Sequence, residues 1–211
     1  MMTDDFRMSY FMPPIAPIKD EQGRLVTPPT LVPFCEISVE QVFQIITCNE
    51  NLKALTEQVR NAEDIRTAKA SLLPYVTPCG TFTRRSSKCL IDPSYLTVVD
   101  IDYLTSYQEA VEMRNTLFND PLLHPVLTFI SPSGRGVKAF IPYNHLPMVD
   151  SANSITEKIK LAMLYTVMIY GTGTPPPFGE KKKGVDFSGK DIVRSCFLCH
   201  DPGALFRTTN E

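Results

Sequence analysis

Leu96-Thr-Val-Val-Asp-Ile-Asp102 is the segment from which the fold can be worked out. Thr97, Val98, Val99 and Ile101 are strong strand formers, and no glycine or proline interrupts them. Residues two apart on a strand share a face, so Asp100 and Asp102 project together while Ile101 points into the core. Two bare carboxylates side by side repel. A divalent cation would relieve that repulsion, and carboxylates suit Mg²⁺ or Mn²⁺. The competing reading is a strand that simply ends here, with acids marking the turn.

Downstream of this strand, a helix is expected from about Ser106 to Phe118. Pro125–Ser131 and Val137–Pro142 read as two strands joined by the turn Pro132-Ser-Gly-Arg-Gly136. Ile155–Tyr170 has a broad apolar face and reads as a helix. Ile192–Leu198 reads as a last strand. Upstream, Ser38 and Gln41 form a capping-box pattern that opens a helix carrying Val39, Val42, Phe43 and Ile46. A second helix is expected from Asn51 to Leu72, stopped by Pro74, then a short strand over Thr77–Thr83. Residues 1–34 hold Pro13, Pro14, Pro17, Pro28, Pro29 and Pro33 and read as an extended arm. The expected folded unit is residues 35–211. Helices and strands intermix, so the expected class is α+β, a sheet with helices on one face.

The bulk numbers exclude several classes. The chain has 211 residues, 43% of them hydrophobic, and a formal net charge of −2. It is long enough to bury a core without disulfides or metals and too apolar to be disordered. The longest apolar stretch, near Leu161–Tyr170, is far short of the ~20 residues that span a bilayer, so no membrane partner is expected. The first residues carry Asp4 and Asp5 and lack the basic start and apolar region of a signal peptide. The six cysteines are therefore read as reduced thiols and the cytoplasm as the compartment. Cys196-Phe-Leu-Cys199-His200 spells a haem-attachment motif. Its cysteines lie three apart on an expected strand, facing opposite ways, which sets that reading aside.

Two further segments could carry chemistry. In Ser131-Pro-Ser-Gly-Arg-Gly-Val-Lys138, Gly134 and Gly136 let the backbone approach a ligand, and Ser133, Arg135 and Lys138 could hold a phosphate. The spacing is not that of a P-loop, and an ordinary decorated hairpin turn is the competing reading. Gly184–Arg194 adds a third carboxylate, Asp186, and an outward-pointing Arg194. Arg84, Arg85 and Lys88, with Lys181–Lys183, form two basic clusters that could contact DNA phosphates.

Taken together, these segments resemble the archaeo-eukaryotic primase superfamily. The closer likeness is to the primase-like VirE N-terminal domain family of Bacteroides-type mobile elements and phages. The matching stretches are Lys69-Ala-Ser-Leu-Leu-Pro74, Gly80-Thr-Phe82, Val98–Asp102, Phe129–Lys138 and Val185-Asp186 through Arg194 to Asp201-Pro202. The resemblance implies a primase-like catalytic domain with an RRM-like sheet and flanking helices. It implies a nucleotidyltransferase in which Asp100, Asp102 and Asp186 hold two Mg²⁺ or Mn²⁺ ions. Ser133, Gly134, Arg135, Gly136, Lys138 and Arg194 would bind nucleotide phosphate, and Arg84, Arg85 and Lys88 would bind DNA. The implied partners are nucleoside triphosphates, single-stranded DNA or a template–primer, and a replicative helicase. Lys138 stands where the superfamily has a histidine, which leaves open a module that binds DNA or nucleotide without polymerising. A metal-dependent nuclease is a third reading. Lys138 itself is either a phosphate ligand, the favoured role, or the internal partner of a carboxylate.

Overall fold

The computed structural model describes residues 6–171 and 184–208. In chain order the strands are β1 (Arg7–Phe11), β2 (Ile18–Lys19), β3 (Leu25–Thr27), β4 (Cys35–Ser38), β5 (Tyr75–Thr77), β6 (Gly80–Phe82), β7 (Leu90–Pro93), β8 (Leu96–Asp102), β9 (Leu127–Ile130), β10 (Val137–Pro142), β11 (Gly184–Val185), β12 (Cys196–Phe197) and β13 (Leu205–Phe206). The helices are α1 (Val39–Cys48), α2 (Glu50–Arg60), α3 (Ile65–Leu72), α4 (Tyr107–Phe118) and α5 (Ile155–Tyr170). The class is α+β.

The principal sheet has five antiparallel strands in the order β11-β8-β10-β9-β13. Its elements β8-α4-β9-β10-α5-β11 follow a β-α-β-β-α-β succession, with β8 an inner strand between β11 and β10. Ser106 and Ser154 cap α4 and α5, each accepting a hydrogen bond from the backbone N–H three residues on. These two helices cover one face. Val99, Ile101, Val137, Ala139 and Ile141 of the sheet share a core there with Ala110, Leu117, Ile159 and Met163.

The opposite face is also covered, contrary to the expectation of helices on one side only. Leu96, Val98, Phe129 and Phe140 join a second core with Val42, Ile46, Leu52 and Val59 of α1 and α2. Met8 and Val76 of a four-stranded sheet, ordered β12-β5-β1-β4, complete it. Burial on both faces is why β8 reads as a nearly continuous apolar run rather than an alternation.

Three other expectations are corrected. Arg7–Phe11, placed in the arm, is an inner strand paired with both β4 and β5. Met8 and Phe11 are fully buried, and Phe11 stacks on Tyr75 with ring centroids 4.9 Å apart. The prolines fall after this strand rather than within it, so they do not remove its ladder donors. The single helix over Asn51–Leu72 is two helices. Asp64 starts the second by accepting from the backbone N–H groups of Arg66 and Thr67. The strand expected over Ile192–Leu198 spans only Cys196–Phe197, joins the four-stranded sheet and is followed by β13, because Phe187–Lys190 forms a 3₁₀ turn and Asp191 accepts from the Val193 N–H.

Phe11→Ala should lower unfolding free energy by about 3–5 kcal/mol, the cost of emptying a buried aromatic site. Phe34→Ala, at a ring 72% exposed, should stay within about 0.5 kcal/mol. Equal, small effects in urea titrations would place β1 outside the cooperative unit.

Candidate functional site

Pairing of β10 with β8 sets Lys138 directly opposite Asp100. On the other side of β8 the backbone N–H of Asp186 donates to the Asp100 carbonyl at 2.8 Å. Asp186, Asp100 and Lys138 thus form a row across three strands, with Asp102 two residues along. The Lys138 ammonium donates to Asp100 Oδ2 at 2.5 Å, with side chains 8% and 11% exposed. Arg194 Nη2 donates to Asp186 Oδ2 at 2.6 Å and lies 3.9 Å from Asp100 Oδ2. Asp100 Oδ1 is buried without a hydrogen-bond partner.

The electrostatics follow from this packing. Burial opposes the charge on Lys138, but Asp100 outweighs it and raises the lysine above its ordinary range. Burial also opposes ionisation of Asp186. Hydrogen bonds from the Ser188 hydroxyl and N–H, and the Arg194 guanidinium, outweigh it and hold the carboxyl below its usual range. At Asp102 the charges of Lys138 and Lys69 compensate only in part. Burial, then the neighbouring Asp100, pushes its carboxyl up.

The Gly-rich turn sits against Asp102. A Cβ at Gly136 would lie 2.6 Å from the Ile101 carbonyl oxygen, 2.9 Å from Ser131 Oγ and 3.3 Å from Asp102 Oδ1, so no larger residue fits without displacing backbone. Within the turn the Gly134 N–H donates to the Ser131 carbonyl and the Arg135 N–H to Ser133 Oγ. These two donors are already used, and the Lys138 ammonium is paired with Asp100.

Beside the row lies a pocket of about 430 Å³. Its walls include Lys69 from α3, Arg85 from the β6–β7 loop, Arg194, Phe197 and Ile15, with Asp100 and Lys138 also lining it. The Arg85 guanidinium packs 5.4 Å from the Tyr75 ring centroid and donates to the Ile15 carbonyl. The Lys69 ammonium lies 5.7 Å from the Phe197 ring centroid. Burial, then the charge on Lys138, lowers the Lys69 pKa. Arg85 therefore parts from Arg84 and Lys88, which are exposed. Ser133, Gly134, Arg135 and Gly136 do not line this pocket. Lys69 opens one of the matching stretches, Lys69–Pro74, but nothing local to it pointed to the acid row; tertiary packing brings it here. Lys181–Lys183 lie outside the described residues.

Among the described residues no three His, Cys, Asp or Glu side chains are grouped closely enough to hold a metal ion. Asp186 is turned onto Arg194 and Ser188. The pair Asp100 and Asp102 does suit one divalent cation, since Asp100 Oδ1 is orphaned and the charges of Lys138 and Lys69 offset only part of what burial and Asp100 impose on Asp102. Cys196 and Cys199 are buried, and burial pushes each thiol up to about 12, so they are inert rather than reactive.

Lys138→Met should destabilise the fold by about 3–5 kcal/mol, because it strands a buried carboxylate, while Lys138→Met with Asp100→Asn should recover most of that loss. Equal loss in the single and double variants, measured by urea titration, would show that the pair is not coupled. Asp102→Asn should raise the melting temperature at pH 7. A carboxyl whose folded pKa is raised destabilises once ionised, so the penalty is absent below the ordinary carboxylate range and grows as pH climbs through the folded value. The advantage of the variant should therefore vanish in acid, and a constant advantage at every pH would refute this cause.

A family model described as BT4734-like, N-terminal domain, matches residues 67–206, about two thirds of the chain. No curated protein and no solved structure matches it. The matched span holds the acid row, the turn, Lys69, Arg85 and Arg194, while β1 and Ile15 precede it. On that match, the chain belongs to the BT4734-like N-terminal domain family.

Proposed function

We propose that this chain is a primase-type nucleotidyltransferase domain acting on nucleoside triphosphates and a DNA template–primer in replication of a mobile element or phage. One observation carries the reading. Four cations from separate parts of the chain, Lys69, Arg85, Lys138 and Arg194, surround a pocket floored by a strand-end carboxylate. That is a setting for a polyphosphate beside an acid pair. The β-α-β-β-α-β succession, with both acids at the end of its first strand, is consistent with the primase-like catalytic fold that the sequence resembles.

In this reading Asp100 and Asp102 hold Mg²⁺ or Mn²⁺. When bound, the ion supplies neutralising charge for a triphosphate and activation of an attacking hydroxyl. Lys69 and Arg85 bind the phosphates from the pocket wall. Arg194 orients Asp186 and turns to the same anion once Asp186 gains another counter-charge. A cytoplasmic setting and a helicase partner belong to the same proposal.

A second reading, a module that binds nucleotide or DNA without polymerising, is favoured by the internal pairing of Asp100 with Lys138 and of Asp186 with Arg194. Template-directed incorporation of labelled dNTP with Mn²⁺ separates the two. Incorporation that drops at least ~100-fold in Asp100→Asn supports the enzyme. Titration with a fluorescent dNTP should show binding about tenfold weaker or more in Lys69→Ala, the loss of one charge-assisted contact. Binding without incorporation supports the module, and neither binding nor incorporation rejects both.

A further inference from the structure

Among the described residues neither Lys69 nor Arg85 forms an ion pair. Both rest instead on aromatic rings, and those rings belong to one row. Tyr75 in β5 lies directly opposite Phe11 in β1 and Phe197 in β12, so the three side chains share a face of the four-stranded sheet. Phe11 and Tyr75 are fully buried and stacked, with ring planes 3° apart. Phe197 meets Tyr75 edge-on, with centroids 6.1 Å apart, and lines the pocket. Arg85 lies over Tyr75 and Lys69 over Phe197, 5.4 and 5.7 Å from the centroids.

The row is tied to the chain that precedes the matched span. The Tyr75 hydroxyl donates to the Thr30 carbonyl at 2.6 Å. Ile15, another wall of the pocket, donates its N–H to the carbonyl of Ala70, the residue after Lys69, and accepts from Arg85 Nη2, both at 2.9 Å. The acids that line the pocket are occupied: Lys138 holds Asp100, and Asp191 accepts from the Val193 N–H.

A carboxylate in the place of either ring would hold its cation by cancelling the charge. A ring face attracts a cation through its quadrupole and leaves the charge available to an anion. It also restrains a long side chain whose rotamer freedom a ligand would otherwise have to suppress. Core packing alone accounts for buried rings. It gives no reason for two of them each to carry an unneutralised cation at the wall of one pocket.

We propose that Tyr75 and Phe197 are positioning residues, which aim Arg85 and Lys69, charges intact, at a polyphosphate in the pocket. The identity of the anion rests on the nucleotidyltransferase reading; the coupling of ring to cation does not.

Calorimetric titration of the full chain with inorganic triphosphate tests it. Phe197→Leu keeps apolar bulk and removes the ring face, and it should weaken binding about three- to tenfold. Phe197→Tyr, which restores a ring, should recover the wild-type affinity. In a Lys69→Ala background Phe197→Leu should have no further effect, because a ring that acts only through Lys69 has nothing left to aim. Tyr75→Leu should be equally silent in an Arg85→Ala background, and the Phe197 cycle decides where urea titration shows that Tyr75→Leu does not fold. Four results would overturn the proposal: no triphosphate binding by the wild-type chain, wild-type affinity in Phe197→Leu, an equal loss in Phe197→Tyr, or the same loss with and without Lys69. Ring-dependent binding in a chain that incorporates no nucleotide would uphold the positioning role and reject the polymerising reading alone. Incorporation without ring dependence would do the reverse.

Discussion

The ion pair between Lys138 and Asp100 constrains the rest of the structure. Both groups are nearly buried, and a buried charge is tolerated only when paired. Their pairing fixes the register of β10 on β8. A slip of β10 by one residue would turn Lys138 to the opposite face, into the apolar layer formed with α4 and α5, and leave Asp100 unpaired. The pair also dictates what lies next to it. Arg194 reaches Asp186 and approaches Asp100, so the edge of the principal sheet and the segment leading into β12 are tied to the same charges. Apolar contacts hold the two cores together, but charge specifies how the strands align.

What was legible in the sequence follows from how local each cause is. β8, the β9–β10 hairpin and α5 carry their own signals: β-branched runs, a Gly-rich turn, and a serine cap before an apolar face. The common face of Asp100 and Asp102 follows from strand geometry alone. β1 was hidden because its partners, Ile37 in β4 and Val76 in β5, are far along the chain, while the prolines behind it are a strong local signal for an arm. The break between α2 and α3 rests on Asp64, a single capping residue inside an otherwise continuous apolar pattern.

The site was legible in its residues more than in its arrangement. The three acids, Lys138 and Arg194 do converge, yet the turn expected to cradle phosphate uses its Gly134 and Arg135 N–H groups internally and lies against Asp102 instead. Lys69 and Arg85 enter the pocket through packing between α3, the β6–β7 loop and the segment at Ile15. No pattern within a single element could announce that. Arg85 was noticed as part of a basic cluster, but its partners, the Tyr75 ring and the Ile15 carbonyl, separate it from Arg84 and Lys88.

The charge arrangement bears on how such a site would work. Lys138 and Arg194 are each committed to a carboxylate, so neither can turn to a phosphate unless Asp100 and Asp186 gain another counter-charge. Removing a cation from a buried carboxylate without replacement costs several kcal/mol. Lys69 and Arg85 carry no such commitment to a carboxylate among the described residues. They are the groups available to meet an anion first, and burial lowers the cost of desolvating Lys69 further when that anion arrives. In the proposed reaction a triphosphate would therefore dock on Lys69 and Arg85 before the acid row rearranges. Lys138 would leave Asp100 only if another counter-charge took its place there, since a buried carboxylate is not left unpaired.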